Sequence, residues 1–180
     1  EETQIAGFLA DAPKFDGVLC LPGTHSKWAH ISAQEVVSFR TFMTGDLYAA
    51  LAKHSILAAT VLGAEGADEE AFIAAVAEML SKPETLGSAL FSIRAETLLN
   101  DQGAQTGAAR LSGLLIGAEL AASRPYWLGQ DVVLIGEEAL SERYLLALGA
   151  QGVVARVAKA CDMTLAGLAA ARAAMARTPA

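Results

Sequence analysis

Hydrophobic positions change their period several times along this chain, and each change marks an expected element. Ile5, Phe8 and Leu9 sit at helical spacing ahead of the turn formers Asp11 and Pro13, which predicts a short helix over 2–9. Residues 17–21 form a continuous apolar run closed by Pro22-Gly23, the pattern of a strand buried on both faces. Residues 27–31 and 35–39 alternate apolar and polar positions about a Ser32-Ala33-Gln34 turn, so the three strands are expected as an antiparallel meander. From Thr44, an expected N-cap, Leu47, Leu51, Ile56 and Leu57 fall on one helical face. Asp68 is expected to cap a helix through Lys82 that Pro83 ends, and 87–100 and 105–123 read as two further helices, giving an all-helical insert at about 61–124. After Pro125 the chain alternates: a strand over 131–135, a helix over 137–148, a strand over 152–157 and a helix over 164–177.

A meander that feeds two right-handed crossover units builds an α/β fold: a mixed five-stranded sheet of three antiparallel and two parallel strands with flanking helices. That is the ribonuclease-H-like layout, also that of actin-like ATPase domains. Composition agrees with a packed domain, since 53% of the 180 residues are hydrophobic and 18% charged. The net charge of −7, with Lys and Arg scattered, argues against nucleic acid as a partner. The most apolar stretch, 111–120, is interrupted by Ser112, Gly113, Gly117 and Glu119 and is far shorter than the roughly 20 residues of a membrane span. Cys20 and Cys161 have no metal or redox spacing and are expected as two buried structural thiols. With no signal-peptide pattern at the N-terminus, a cytoplasmic location is expected. The opening residue is Glu1 rather than Met, as in a fragment or processed product.

Four segments could carry chemistry. Leu21-Pro22-Gly23-Thr24-His25-Ser26-Lys27-Trp28 packs a glycine, two hydroxyls and a lysine into one turn. Glycine allows close backbone approach, turn N–H groups form an anion nest, and lysine neutralises charge, so the turn suits phosphates; a hairpin with a polar tip is the plainer reading. It does not match a Walker A loop. His25 could act as a base, but no Asp or Ser partner is identifiable, so it is kept as a phosphate contact. His30 and His54 have no metal spacing with it and read as structural or surface residues.

The second segment is Leu134-Ile135-Gly136-Glu137, a strand that ends in glycine and opens a helix, where ligands of open α/β sheets bind. A simple tight turn is the alternative. The third is Glu1-Glu2, either macrodipole compensation at a helix start or a base that accepts a hydroxyl proton in phosphoryl transfer. Ser112, Gly113 and Gly117 form the fourth, a close helix contact or one wall of a nucleotide pocket.

These segments, in order with Thr41-Phe42-Met43-Thr44-Gly45-Asp46-Leu47-Tyr48, His54-Ser55-Ile56-Leu57, Leu111-Ser112-Gly113-Leu114-Leu115-Ile116-Gly117 and Arg143-Tyr144, resemble the C-terminal portion of the 2-dehydro-3-deoxygalactonokinases, sugar kinases of the actin-like superfamily. The resemblance implies ATP-dependent phosphorylation of 2-dehydro-3-deoxy-D-galactonate to its 6-phosphate in galactonate catabolism, with Mg2+ bridging the nucleotide phosphates. It implies that Gly23, Thr24, His25, Ser26 and Lys27 bind phosphates, that Gly136, Glu137, Ser112 and Gly113 border the adenosine, and that Glu1 or Glu2 is the catalytic base. It also implies that residues 1–180 are one C-terminal lobe, inactive without an N-terminal lobe that carries most sugar contacts. Two rivals remain: a non-catalytic actin-like assembly or regulatory module, and a kinase for another sugar acid such as 2-dehydro-3-deoxygluconate.

Overall fold

The computed structural model describes residues 1–177. Along the chain run α1 (Glu2–Asp11), β1 (Gly17–Leu21), β2 (Ser26–Ser32), β3 (Glu35–Phe42), α2 (Thr44–His54), α3 (Ala58–Val61), α4 (Glu69–Ser81), α5 (Leu86–Leu99), α6 (Ala104–Ala122) and α7 (Arg124–Trp127). Then follow β4 (Val132–Gly136), α8 (Glu138–Gly149), β5 (Ala155–Lys159) and α9 (Ala160–Arg177). They separate into two units, one of Glu1–Thr41 with the chain from Pro125 onward, the other Phe42–Arg124.

The first unit is a mixed five-stranded sheet in the order β3-β2-β1-β4-β5. β1 pairs antiparallel with β2 and parallel with β4, and β4 pairs parallel with β5. Ala33 and Gln34 both take positive φ, 51° and 65°, in the two-residue turn between β2 and β3, whose backbone twist matches that of the flanking strands. Central position explains burial: every residue of β1 is buried, whereas β3 and β5 lie at the edges and are largely exposed.

Strand alternation sends Leu19, Leu21, Ala29, Ile31, Val133 and Ile135 to one face, where Ile5, Phe8 and Leu9 of α1 and Met163 of α9 cover them. α8, the crossover from β4 to β5, buries Ser141, Tyr144, Ala147 and Leu148 at i, i+3, i+6 and i+7. α1 crosses α9 at reciprocal glycines. A Cβ on Gly7 would lie 1.9 Å from the Met163 carbonyl oxygen, and one on Gly167 would lie 1.9 Å from that of Thr3.

In the second unit α6 is the axis, and residues Leu111 through Gly117 are buried all the way round. Leu57, Met79, Ile93, Leu111 and Leu114 meet in one cluster. Gly113 and Gly117 face α4: added Cβ atoms would sit 2.5 Å from the Phe72 carbonyl oxygen and 2.8 Å from that of Val76. Their spacing therefore sets how closely the two helices approach, and overpacking such a contact costs about 1–3 kcal/mol. Asp68 caps α4 as the sequence predicts, accepting from Ala71 N at 3.0 Å and from Thr106 Oγ1 at 2.7 Å. These two donors hold its carboxyl below the usual aspartate range, the Thr106 hydroxyl contributing most.

Several expectations change. The N-cap of α2 is Met43, and Thr44 enters the first turn because its hydroxyl donates to the buried carboxylate of Glu119. The second unit begins at Phe42, ahead of the insert expected from about 61, because α2 and α3 both pack on α6. β5 starts at Ala155 rather than 152, since Gly152, at φ 76°, belongs to the turn that closes α8, where Val153 N donates to Leu148 O. Cys20 is buried, but Cys161 is exposed in the first turn of α9. No helix among the described residues is long and apolar enough to cross a membrane.

Candidate functional site

The turn between β1 and β2 is short because Leu21 already pairs with Lys27 across the ladder. Gly23 in that turn has no positive φ, and among the described residues nothing lies within 4 Å of where its Cβ would project. Neither backbone conformation nor internal packing requires a glycine there, so the bare position leaves room for something outside the chain to approach the backbone. Thr24 and His25 form the exposed tip.

Ser26 and Lys27 open β2, and the pleat turns them to opposite faces. Ser26 is fully buried and accepts a hydrogen bond from the Tyr144 hydroxyl at 3.2 Å. Its side chain therefore points into the protein rather than to the solvent side of the turn. Lys27 shares the face of Ala29 and Ile31, and there its ammonium donates to Glu1 Oε1 at 2.8 Å and to the His25 carbonyl oxygen at 3.1 Å. Hydrogen bonding by Lys27 is the main cause that holds the Glu1 carboxyl below its ordinary range. The neighbouring Glu2 side chain is wholly exposed. Of the two acids, Glu1 is the one brought to the turn.

β4 runs parallel to β1 with Cys20 opposite Leu134, so the turns after both strands emerge at the same end of the sheet. Gly136 ends β4, and a Cβ there would sit 3.0 Å from Ser141 Oγ and 3.3 Å from Pro22 Cδ. Glycine is what lets the end of β4 lie against the start of the β1–β2 turn. Glu137, exposed, occupies the N-cap of α8 in extended conformation, with no side-chain cap bond. Glu1, the 23–27 turn, Gly136 and Glu137 thus belong to the sheet unit, whereas Ser112 and Gly113 are buried on α6 in the helical unit, with Gly113 directed at α4.

Sequence reasoning assigned no role to three contributors: Tyr144, quoted only in the family resemblance, Ser141 one helical turn before it on the buried side of α8, and the Gly7–Gly167 crossing that fixes α1. Serine and tyrosine three apart in an amphipathic helix would have been the signal for the first pair. Among the described residues no cluster of three or more His, Cys, Asp or Glu side chains could hold a metal ion.

Residues 1–171 match the model of the 2-keto-3-deoxy-galactonokinase family. The chain belongs to this family. Among its relatives is a probable 2-dehydro-3-deoxygalactonokinase of Rhizobium meliloti (strain 1021), 39% identical over 174 residues, a match that covers 95% of this chain and 57% of the relative. The 2-dehydro-3-deoxygalactonokinase of Escherichia coli (strain K12) is 37% identical over 165 residues, covering 91% of this chain and 52% of the relative. A crystal structure assigned to a 2-dehydro-3-deoxygalactonokinase from Sinorhizobium meliloti superposes with a TM-score of 0.92 at 37% identity, over 98% of this chain and 60% of that one. The chain spans about half the length of the curated relatives it matches.

Proposed function

We propose that this chain is the ATP-handling C-terminal lobe of a 2-dehydro-3-deoxygalactonokinase, built on a ribonuclease-H-like core of the actin-like type, and that it works with a further lobe supplying most of the sugar contacts. The strand order and the meander-plus-crossover connectivity support that core, and the greater length of the relatives supports a second lobe. The observation that carries the functional reading is the placement of Lys27 against Glu1 beside the open backbone of Gly23. A cation, a carboxylate and a turn with room for phosphate oxygens are what phosphoryl transfer needs from one wall of its cleft.

In this reading the turn at 23–27 receives the phosphates of ATP through backbone N–H groups, Thr24, His25 and the Lys27 ammonium, with Ser26 supporting the turn from inside. Gly136 and Glu137 border the adenosine from the sheet unit. The 6-hydroxyl oxygen of 2-dehydro-3-deoxy-D-galactonate forms a bond to the γ-phosphorus as the bond to the bridging oxygen of ADP breaks, and Glu1 accepts the hydroxyl proton. The Lys27 hydrogen bond orients that carboxylate and holds its titration below the ordinary glutamate range. Mg2+ bound with the nucleotide would supply charge neutralisation at its phosphates.

The test is to mix the chain with the N-terminal lobe of the Rhizobium meliloti relative and follow ATP-dependent phosphorylation of the sugar acid. Activity that requires both pieces and is lost in Lys27→Ala and Glu1→Gln, but kept in Glu2→Gln, supports the assignment. Association and ATP binding without turnover of this sugar acid would refute the substrate, leaving another sugar acid or an assembly module.

A further inference from the structure

The 23–27 turn is gripped from both faces of the sheet at two successive residues. On one face Lys27 reaches Glu1 of the chain leading into α1; on the other Ser26 receives the Tyr144 hydroxyl from α8. Tyr144 is 1% exposed and Ser26 0%, so water does not stand in for this hydrogen bond. One turn earlier on α8, Ser141 is also 1% exposed, and its hydroxyl, without a hydrogen-bond partner among the described residues, stands 3.0 Å from where a Cβ on Gly136 would lie, with Pro22 Cδ 3.3 Å from the same point. α8 therefore meets the turn's supports at both ends, through Ser141 beside Gly136 at its start and through Tyr144 on Ser26 at its finish.

We infer that Tyr144 is a positioning residue for phosphate binding: its hydroxyl locks Ser26, the first residue of β2, and so fixes the backbone from which Lys27 projects on the opposite face. This rests on the reading of 23–27 as a phosphate turn. Because Glu137, a proposed adenosine contact, is the N-cap of α8, the same helix ties the base side of the nucleotide to its phosphate side.

The inference is tested on the whole chain by NMR titration with inorganic pyrophosphate and, separately, with adenosine. In the unmodified chain pyrophosphate is expected to move the amide signals of 23–27; if it moves none, the phosphate-turn reading itself falls, and this inference with it. In Tyr144→Phe, which keeps the ring in place, pyrophosphate affinity is expected to drop about fivefold, the size of one ordinary hydrogen bond, with adenosine affinity unchanged. The Glu1 carboxyl should also titrate closer to the ordinary glutamate value, read at pH values where thermal melts show the variant folded, since unfolding would move it the same way. Ser26→Ala attacks the same bond from the other end, and the double variant should lose no more than either single one. Native pyrophosphate affinity in both single variants, or fully additive losses in the double, would overturn the role of Tyr144.

Discussion

Lys27 Nζ stands 2.8 Å from Glu1 Oε1, joining two residues 26 positions apart in sequence. The pair is half open to water, with side-chain exposures of 25% for Lys27 and 47% for Glu1, so its worth lies in geometry and charge state more than in stability. Lys27→Met should return the Glu1 titration toward 4.5, the ordinary value from which it is now lowered. Since the folded-state value is depressed, the pair adds stability above the ordinary glutamate range, and that contribution fades as pH falls through the folded value. Carboxyl-detected NMR titration of both proteins measures this directly. An unmoved Glu1 in Lys27→Met would mean that the contact does not persist in solution.

Gly23 and Gly136 lie close to the same turn but should respond in opposite ways to a methyl group. A Cβ on Gly23 meets nothing, so Gly23→Ala is expected to keep or slightly raise the melting temperature yet bind pyrophosphate more weakly. A Cβ on Gly136 meets Ser141 Oγ at 3.0 Å and Pro22 Cδ at 3.3 Å, so Gly136→Ala should lower the melting temperature as well. Thermal melts beside pyrophosphate titrations separate the two effects; equal affinity in Gly23→Ala would remove the reason for placing phosphate there.

Much of the sheet was legible because its central strands are buried on both faces. Gly17–Leu21 and Val132–Gly136 announce themselves as unbroken apolar runs, and Pro22-Gly23 marks the turn between partners. The edge strand β5 was misplaced because only its backbone reveals that Gly152 closes a helix. The turn's chemistry was readable from composition, but the roles inside it were not. Starting β2 at Lys27 left Ser26 with the phosphate contacts, whereas pairing begins one residue earlier and the pleat turns Ser26 inward to Tyr144, 118 residues away in sequence. Likewise, nothing local to Glu1 or Glu2 tells which meets Lys27. That depends on how α1 lies across the sheet, a tertiary fact set by Phe8, Ile5 and the glycine crossing with α9.

Within the helical unit, the buried carboxylate of Glu119, 3% exposed, receives the hydroxyl of Thr44 at the start of α2. A buried polar group left without its hydrogen-bond donor costs about 1–3 kcal/mol. Thr44→Val keeps the shape but removes the donor and should lose stability in that range, while Thr44→Ser should lose well under half as much. Urea unfolding curves of the three proteins provide the comparison. Equal losses in Val and Ser would mean that methyl packing, not the carboxylate, sets the requirement at 44.

The glycine crossing of α1 and α9 turns a packing detail into a functional one. Gly167 faces Thr3, two residues from Glu1, and an added Cβ would stand 1.9 Å from the Thr3 carbonyl oxygen, far inside any tolerable contact. Two backbones meet there with no flexible side chain between them to yield, so α1 must move away from α9 at the turn that follows Glu1. Gly167→Ala is therefore expected to lower stability by about 1–3 kcal/mol and to loosen the Glu1–Lys27 contact, shifting the Glu1 titration upward. Gly87→Ala is the matched control. That glycine lies in α5 with open space around its Cβ position, so alanine there should stabilise by roughly 0.5–1 kcal/mol and leave Glu1 untouched. If Gly167→Ala is destabilised while Glu1 keeps its depressed titration, the crossing holds the fold together without positioning the acid, and the link from α9 to the site is broken.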